Sequence, residues 1–84
     1  MVSIVVWRRR ADVLWRLGPD RVLARRVGAE GVDLVGAAAL VWVALDAPTD
    51  LAGLTAELDG LTDATLDVAG ALAELESAGL IERT

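Results

Sequence analysis

The chain has 84 residues, 55% of them hydrophobic, and a formal net charge of −5. It is long enough for one domain with a thin core, too apolar for a disordered tail, and too acidic overall for nucleic acid as its main partner. Cysteine and histidine are both absent; this excludes disulfides and thiolate metal sites, and removes the commonest general base, pH switch and zinc ligand.

Residues 1–84 are expected to form a single domain, with residues 1–10 either an N-terminal arm or an extra strand. The apolar residues Val2 to Trp7 precede Arg8, Arg9 and Arg10. That order is the reverse of a secretory signal, so a cytoplasmic setting is expected. Asp12 to Val27 predicts a β-hairpin. Its strands are Val13–Leu17 and Arg21–Val27, and Gly18-Pro19-Asp20 supplies the turn. Val13, Trp15 and Leu17 share one face, as do Val22 and Ala24, with arginines on the other, which fits a sheet with one wet side. After the turn Gly28–Gly31, Val32–Val35 predicts a short third strand.

Gly36–Leu45 predicts a helix. Its small residues Gly36 to Ala39 suit close packing on the sheet, and its lack of a polar face predicts burial. Pro48 stops it. Asp50 is placed to cap a second helix, Leu51–Leu58, closed by Asp59-Gly60. Thr62-Asp63 opens a third, about Ala64 to Ala78, with an apolar stripe of Leu66, Ala69, Leu72, Ala73 and Leu75. Gly79 sits where a left-handed C-terminal cap is wanted, and Leu80-Ile81 can fold back on the helix end. The expected class is α+β and winged-helix-like, a three-stranded antiparallel sheet followed by three helices. The longest uncharged apolar run, Leu34 to Leu45, falls short of the about 20 residues that span a bilayer, so no membrane partner is expected.

No catalytic set emerges. Asp46 and Asp50, and Asp59 and Asp63, flank turns, where paired carboxylates serve acid–base chemistry or hold a hard cation. Helix caps and solvated turns favour Asp at these places regardless of function, and that reading is preferred. Ser3 and Ser77 have no histidine to activate them. No phosphate loop, cofactor motif or metal set is present, so a non-enzymatic role is expected. Seven of the eight arginines lie in the first 26 residues, and most acidic residues follow Glu30. The arginines either touch phosphate or form a solvated strand face paired in part with acidic helices. The charge balance favours the second reading. Trp42 reads as a core anchor, Trp15 as hairpin core, and Trp7 as exposed on an arm. If Val32–Val35 lies at a sheet edge, a peptide added as a strand would satisfy its free backbone groups. The shortness of the strand and Asp33 equally well blunt such an edge.

In order and spacing, Gly36-Ala37, Val41-Trp42, Leu45-Asp46-Ala47-Pro48, Thr49-Asp50 and Leu72–Leu75–Gly79-Leu80 resemble the PqqD-like domains. These are RiPP recognition elements, which bind the leader of ribosomally made precursor peptides. The resemblance runs from Trp7 onward. It departs at Leu34-Val35, where the family often has Leu-Asn, and at Gly53, where it often has glutamate. It implies three antiparallel strands on three helices, with a precursor leader added as a fourth strand beside strand three, against helix three. Carried onto this chain, Val32, Asp33, Leu34 and Val35 would supply backbone hydrogen bonds. Val68, Ala71, Leu72 and Leu75 would supply apolar pockets, and Asp67 and Glu74 would favour a basic leader. The partners so implied are a precursor leader peptide and a peptide-modifying enzyme. The rival readings are a winged-helix DNA-binding regulator and a small structural or dimerisation subunit, a homodimer in which strand three pairs with its own copy.

Overall fold

The computed structural model describes residues 4–60 and 66–84 of the chain. Among the described residues, six strands and three helices follow in the order β1 (Val6–Arg9), β2 (Val13–Leu17), β3 (Val22–Arg26), β4 (Val32–Leu34), α1 (Gly36–Ala44), β5 (Thr49–Asp50), α2 (Leu51–Asp59), α3 (Val68–Ser77) and β6 (Ile81–Arg83). The fold is α+β, with two three-stranded antiparallel sheets ordered β2-β3-β4 and β5-β1-β6.

The first sheet is the expected hairpin with its third strand. Gly18 N–H donates to the Arg21 carbonyl at 2.7 Å, and Pro19-Asp20 occupies the two central turn positions. Proline presets the backbone there and aspartate tolerates the tight corner. The second sheet departs from the expectation that all strands precede the helices. Val6–Arg9 is a strand rather than an arm, and it pairs with β5 between the helices and with β6 after them. The Arg8–Glu82 pair across β1 and β6 joins residues 74 positions apart at 2.8 Å. Pairing of that span leaves no local periodicity to read. Trp7 is consequently buried on β1, and the Arg83 guanidinium lies 4.7 Å from its ring centre.

The joint from β4 into α1 passes through Gly36 at φ +60°, where an added Cβ would meet nothing within 4 Å. The glycine is therefore required by backbone conformation, not by close packing. Ala38, Val41, Trp42 and Ala44 bury the inner side of α1, but Leu40 and Val43 stay exposed, so one flank of this apolar helix is open. Asp50 caps α2 as expected, its carboxylate accepting from Gly53 N–H at 2.8 Å.

Helix α3 begins at Val68, capped by Asp67, whose carboxylate accepts from Gly70 N–H at 2.9 Å. The expected opening at Thr62-Asp63 lies outside the described residues. The buried stripe is Val68, Ala71, Leu72 and Leu75, while Ala69 and Ala73 are exposed. Positions i, i+3, i+4 and i+7 from Val68 form the face. The helix ends in a Schellman motif: Gly79 stands at φ +76°, its N–H donates to Glu76, and Leu80 N–H donates to Leu75 at 3.0 Å. That reversal buries Leu80 and Ile81 and starts β6. The helices and both sheets meet over Val41, Trp42, Leu54, Leu58, Leu75 and Leu80. Burying each such side chain contributes about 1.5–3 kcal/mol. Among the described residues, no helix is long and apolar enough to cross a membrane.

Candidate functional site

Among the described residues, strand β4 pairs with β3 alone, so its other edge is the rim of the sheet. Two hydrogen bonds decide which backbone groups face outward. Gly18 N–H donates to Arg21 and Val27 N–H donates to Asp12, both on the β2–β3 register. In an antiparallel pair, hydrogen-bonded residues alternate with non-bonded ones. Residues 21, 23, 25 and 27 therefore address β2, which leaves Val22 and Ala24 to bond Leu34 and Val32 across the β3–β4 register. The N–H and C=O of Asp33 consequently point away from the sheet.

The expected site residues fall into two groups. On β4, Val32 and Asp33 are exposed and Leu34 is buried; Val35, just after it, is 58% exposed. Leu34 anchors the strand to the core while its neighbours stay accessible. On α3, Val68, Ala71, Leu72 and Leu75 are all core residues, with Leu75 wholly buried. Helix α3 packs mainly on α1, α2 and β6. The far wall that the resemblance implies is thus filled by the protein's own core in the free chain. Asp67 spends its carboxylate on the α3 cap, and Glu74 is exposed on the same helix.

Beside the β4 edge, the outer face of the first sheet forms a hollow of about 430 Å³. Its lining includes Leu14, Arg16, Leu23, Arg25, Gly31 and Asp33, and no α3 residue. The composition pattern gave no warning of it, because Leu14 and Leu23 break the simple rule of arginines outward and apolar residues inward. A second hollow of about 300 Å³ lies between the hairpin tip and α1, against Leu17, Pro19, Leu40 and Val43.

Most arginines hold ion pairs, chiefly with acidic residues of strands and turns, not with the helices. Arg10 and Arg26 both reach Asp12, at 3.1 and 3.3 Å. Arg21 bridges Asp20 and Asp33, at 3.0 and 3.2 Å. Arg83 holds Glu76 of α3. Hydrogen bonding from Arg10 holds the Asp12 carboxyl below the usual carboxylate range, and Arg21 does the same for Asp20. Among the described residues, Arg16 and Arg25 make no ion pair. Trp15 is 38% exposed rather than hairpin core, and it meets buried Trp42 edge-to-face at 6.0 Å. The Trp42 indole N–H has no acceptor among the described residues.

Fold and site together define a small α+β domain with an open sheet edge beside a hollow that is part apolar and part cationic. No protein-family model, curated protein or solved structure matches the chain.

Proposed function

We propose that this domain binds the leader segment of a ribosomally made precursor peptide as a strand added to β4. In this reading the arrangement is winged-helix-like, the protein acts in the cytoplasm, and a partner enzyme carries out the chemistry on the presented peptide. One observation carries the proposal: the outward N–H and C=O of Asp33, on a strand anchored from behind by buried Leu34. An extended peptide completes such an edge with main-chain hydrogen bonds and draws specificity from alternate side chains. The resemblance to the PqqD-like domains names the kind of peptide.

The test is titration of the full chain with a candidate leader peptide, followed by tryptophan fluorescence. Asp33→Pro removes the outward N–H and leaves the β3 ladder intact. It is expected to weaken leader binding at least tenfold, about the 1.4 kcal/mol that one lost edge hydrogen bond and a local clash supply. Asp33→Ala keeps the N–H and should bind nearly as well as the parent. Equal binding by Asp33→Pro would place the peptide elsewhere, for instance on β2, the other rim strand. Salt-dependent binding to duplex DNA would favour the regulator reading, which the acidic residues Asp67 and Glu74 on α3 oppose.

A further inference from the structure

We infer that the strand added to β4 carries an acidic side chain on the outer face of the sheet, received by Arg25 with Arg16 behind it. This rests on the strand-addition reading above and supplies its charge preference. The β3–β4 register sets Leu23 opposite Asp33 and Ala24 opposite Val32. Just before the strand, Gly31 lines the same hollow as Arg25 and offers no side chain. An added residue beside Gly31 therefore faces Arg25 across an empty position. Two strand spacings, about 9.6 Å, separate the two backbones. An extended arginine and an extended glutamate together cover that span over a glycine.

The charges around this gap favour an anion. Arg16 pairs across the hairpin with Leu23, which puts it diagonal to Arg25 on the same face. Such diagonal neighbours on a sheet lie roughly 7–8 Å apart, so the two guanidiniums add their fields. Neither has an ion-pair partner among the described residues, whereas Arg21, Arg26 and Arg10 do. Asp33, the acidic residue on this face, is held by Arg21 at 3.2 Å. Leu14 and Leu23 floor the same hollow and suit apolar neighbours of the acid in the peptide. A peptide suits the edge better than a nucleic acid does, because the outward groups of Asp33 include both a backbone donor and a backbone acceptor. The site thus selects an extended peptide with an acidic residue flanked by apolar ones, the opposite of the basic leader that Asp67 and Glu74 suggested.

The probes are two fluorescein-labelled peptides of about ten residues, alternating valine and threonine, that differ only in a central glutamate or lysine. By anisotropy with the full chain, the glutamate peptide is expected to bind about tenfold more tightly, and Arg25→Gln to reduce that preference to about twofold. Asp33→Pro should weaken both peptides. Equal affinity for the two peptides, with both still weakened by Asp33→Pro, would overturn the charge inference and leave strand addition standing. Affinities unchanged in Asp33→Pro would overturn strand addition itself. Binding of neither peptide at millimolar concentration, or tighter binding of an oligo-dT of about 15 nucleotides, would overturn the inference outright.

Discussion

The guanidinium of Arg9 holds the end of the helix that carries Trp42. Its Nε and Nη2 donate to the Trp42 carbonyl at 3.0 and 2.7 Å, and Nη2 also reaches the Val43 carbonyl at 3.1 Å. The same group lies 4.6 Å from the ring centre of Trp15 and 5.0 Å from that of Trp42. A strand of one sheet thereby caps α1, the helix beneath the other, and satisfies carbonyls that a helix terminus leaves unpaired. Burial lowers the Arg9 pKa, with Asp46 opposing, yet the group remains charged.

Arg9→Ala removes this cap and the cation over two indoles. It is expected to cost about 2–3 kcal/mol, measured by urea unfolding. Arg9→Lys should recover only part of that, because an ammonium cannot fork onto one carbonyl with two parallel donors.

Leu75→Ala distinguishes core from groove on α3. Leu75 is fully buried, so the substitution should lower stability by about 2–5 kcal/mol. If Leu75 instead lined an open pocket, the loss would appear in peptide affinity with little change in the urea midpoint.

Gly79→Ala places a Cβ at φ +76°, 3.2 Å from the Arg26 Nη1. A left-handed non-glycine residue costs roughly 1–2 kcal/mol, so the melting temperature should drop by about 5–10 °C. Gly60→Ala is the control, since its nearest new contact is an ordinary 3.5 Å. Its melting temperature should change by no more than about 3 °C.

Asp12 gives the fold a pH dependence of predictable sign. Its carboxyl is shifted below its ordinary value by hydrogen bonds from Arg10 and Arg26. A lowered carboxyl contributes stability above its unfolded value and loses it as pH falls through the folded value. Asp12→Asn should therefore unfold at lower urea than the parent at neutral pH, and the two midpoints should converge as pH falls below the range in which the folded Asp12 carboxyl titrates.

The sequence made some of this legible through local chemistry. Gly18-Pro19-Asp20 marks the hairpin, Asp50 marks the start of α2, and Gly79 with Leu80 marks the end of α3, because each works within a few residues of itself. The β5-β1-β6 sheet was not legible, since Trp7, Thr49 and Arg83 come together only through long-range pairing. The α3 stripe was read correctly at Leu72 and Leu75 but not at Ala69 and Ala73, because alanines occupy both faces and these two mimic the buried Ala71. For the site, β4 and its exposed neighbours were placed from the sequence. The hollow over Leu14, Leu23 and Arg25 was not, because it depends on strand pairings that bring Leu14, Leu23 and Asp33 to one face.

Amide hydrogen exchange across β4 tests strand addition most directly. In the free chain, Val32 and Leu34 amides should be protected by the β3 ladder, and the Asp33 amide should exchange fast. With saturating leader peptide, the Asp33 amide should become protected while Val32 and Leu34 change little. Bound leader with an Asp33 amide that still exchanges at its free rate would contradict it.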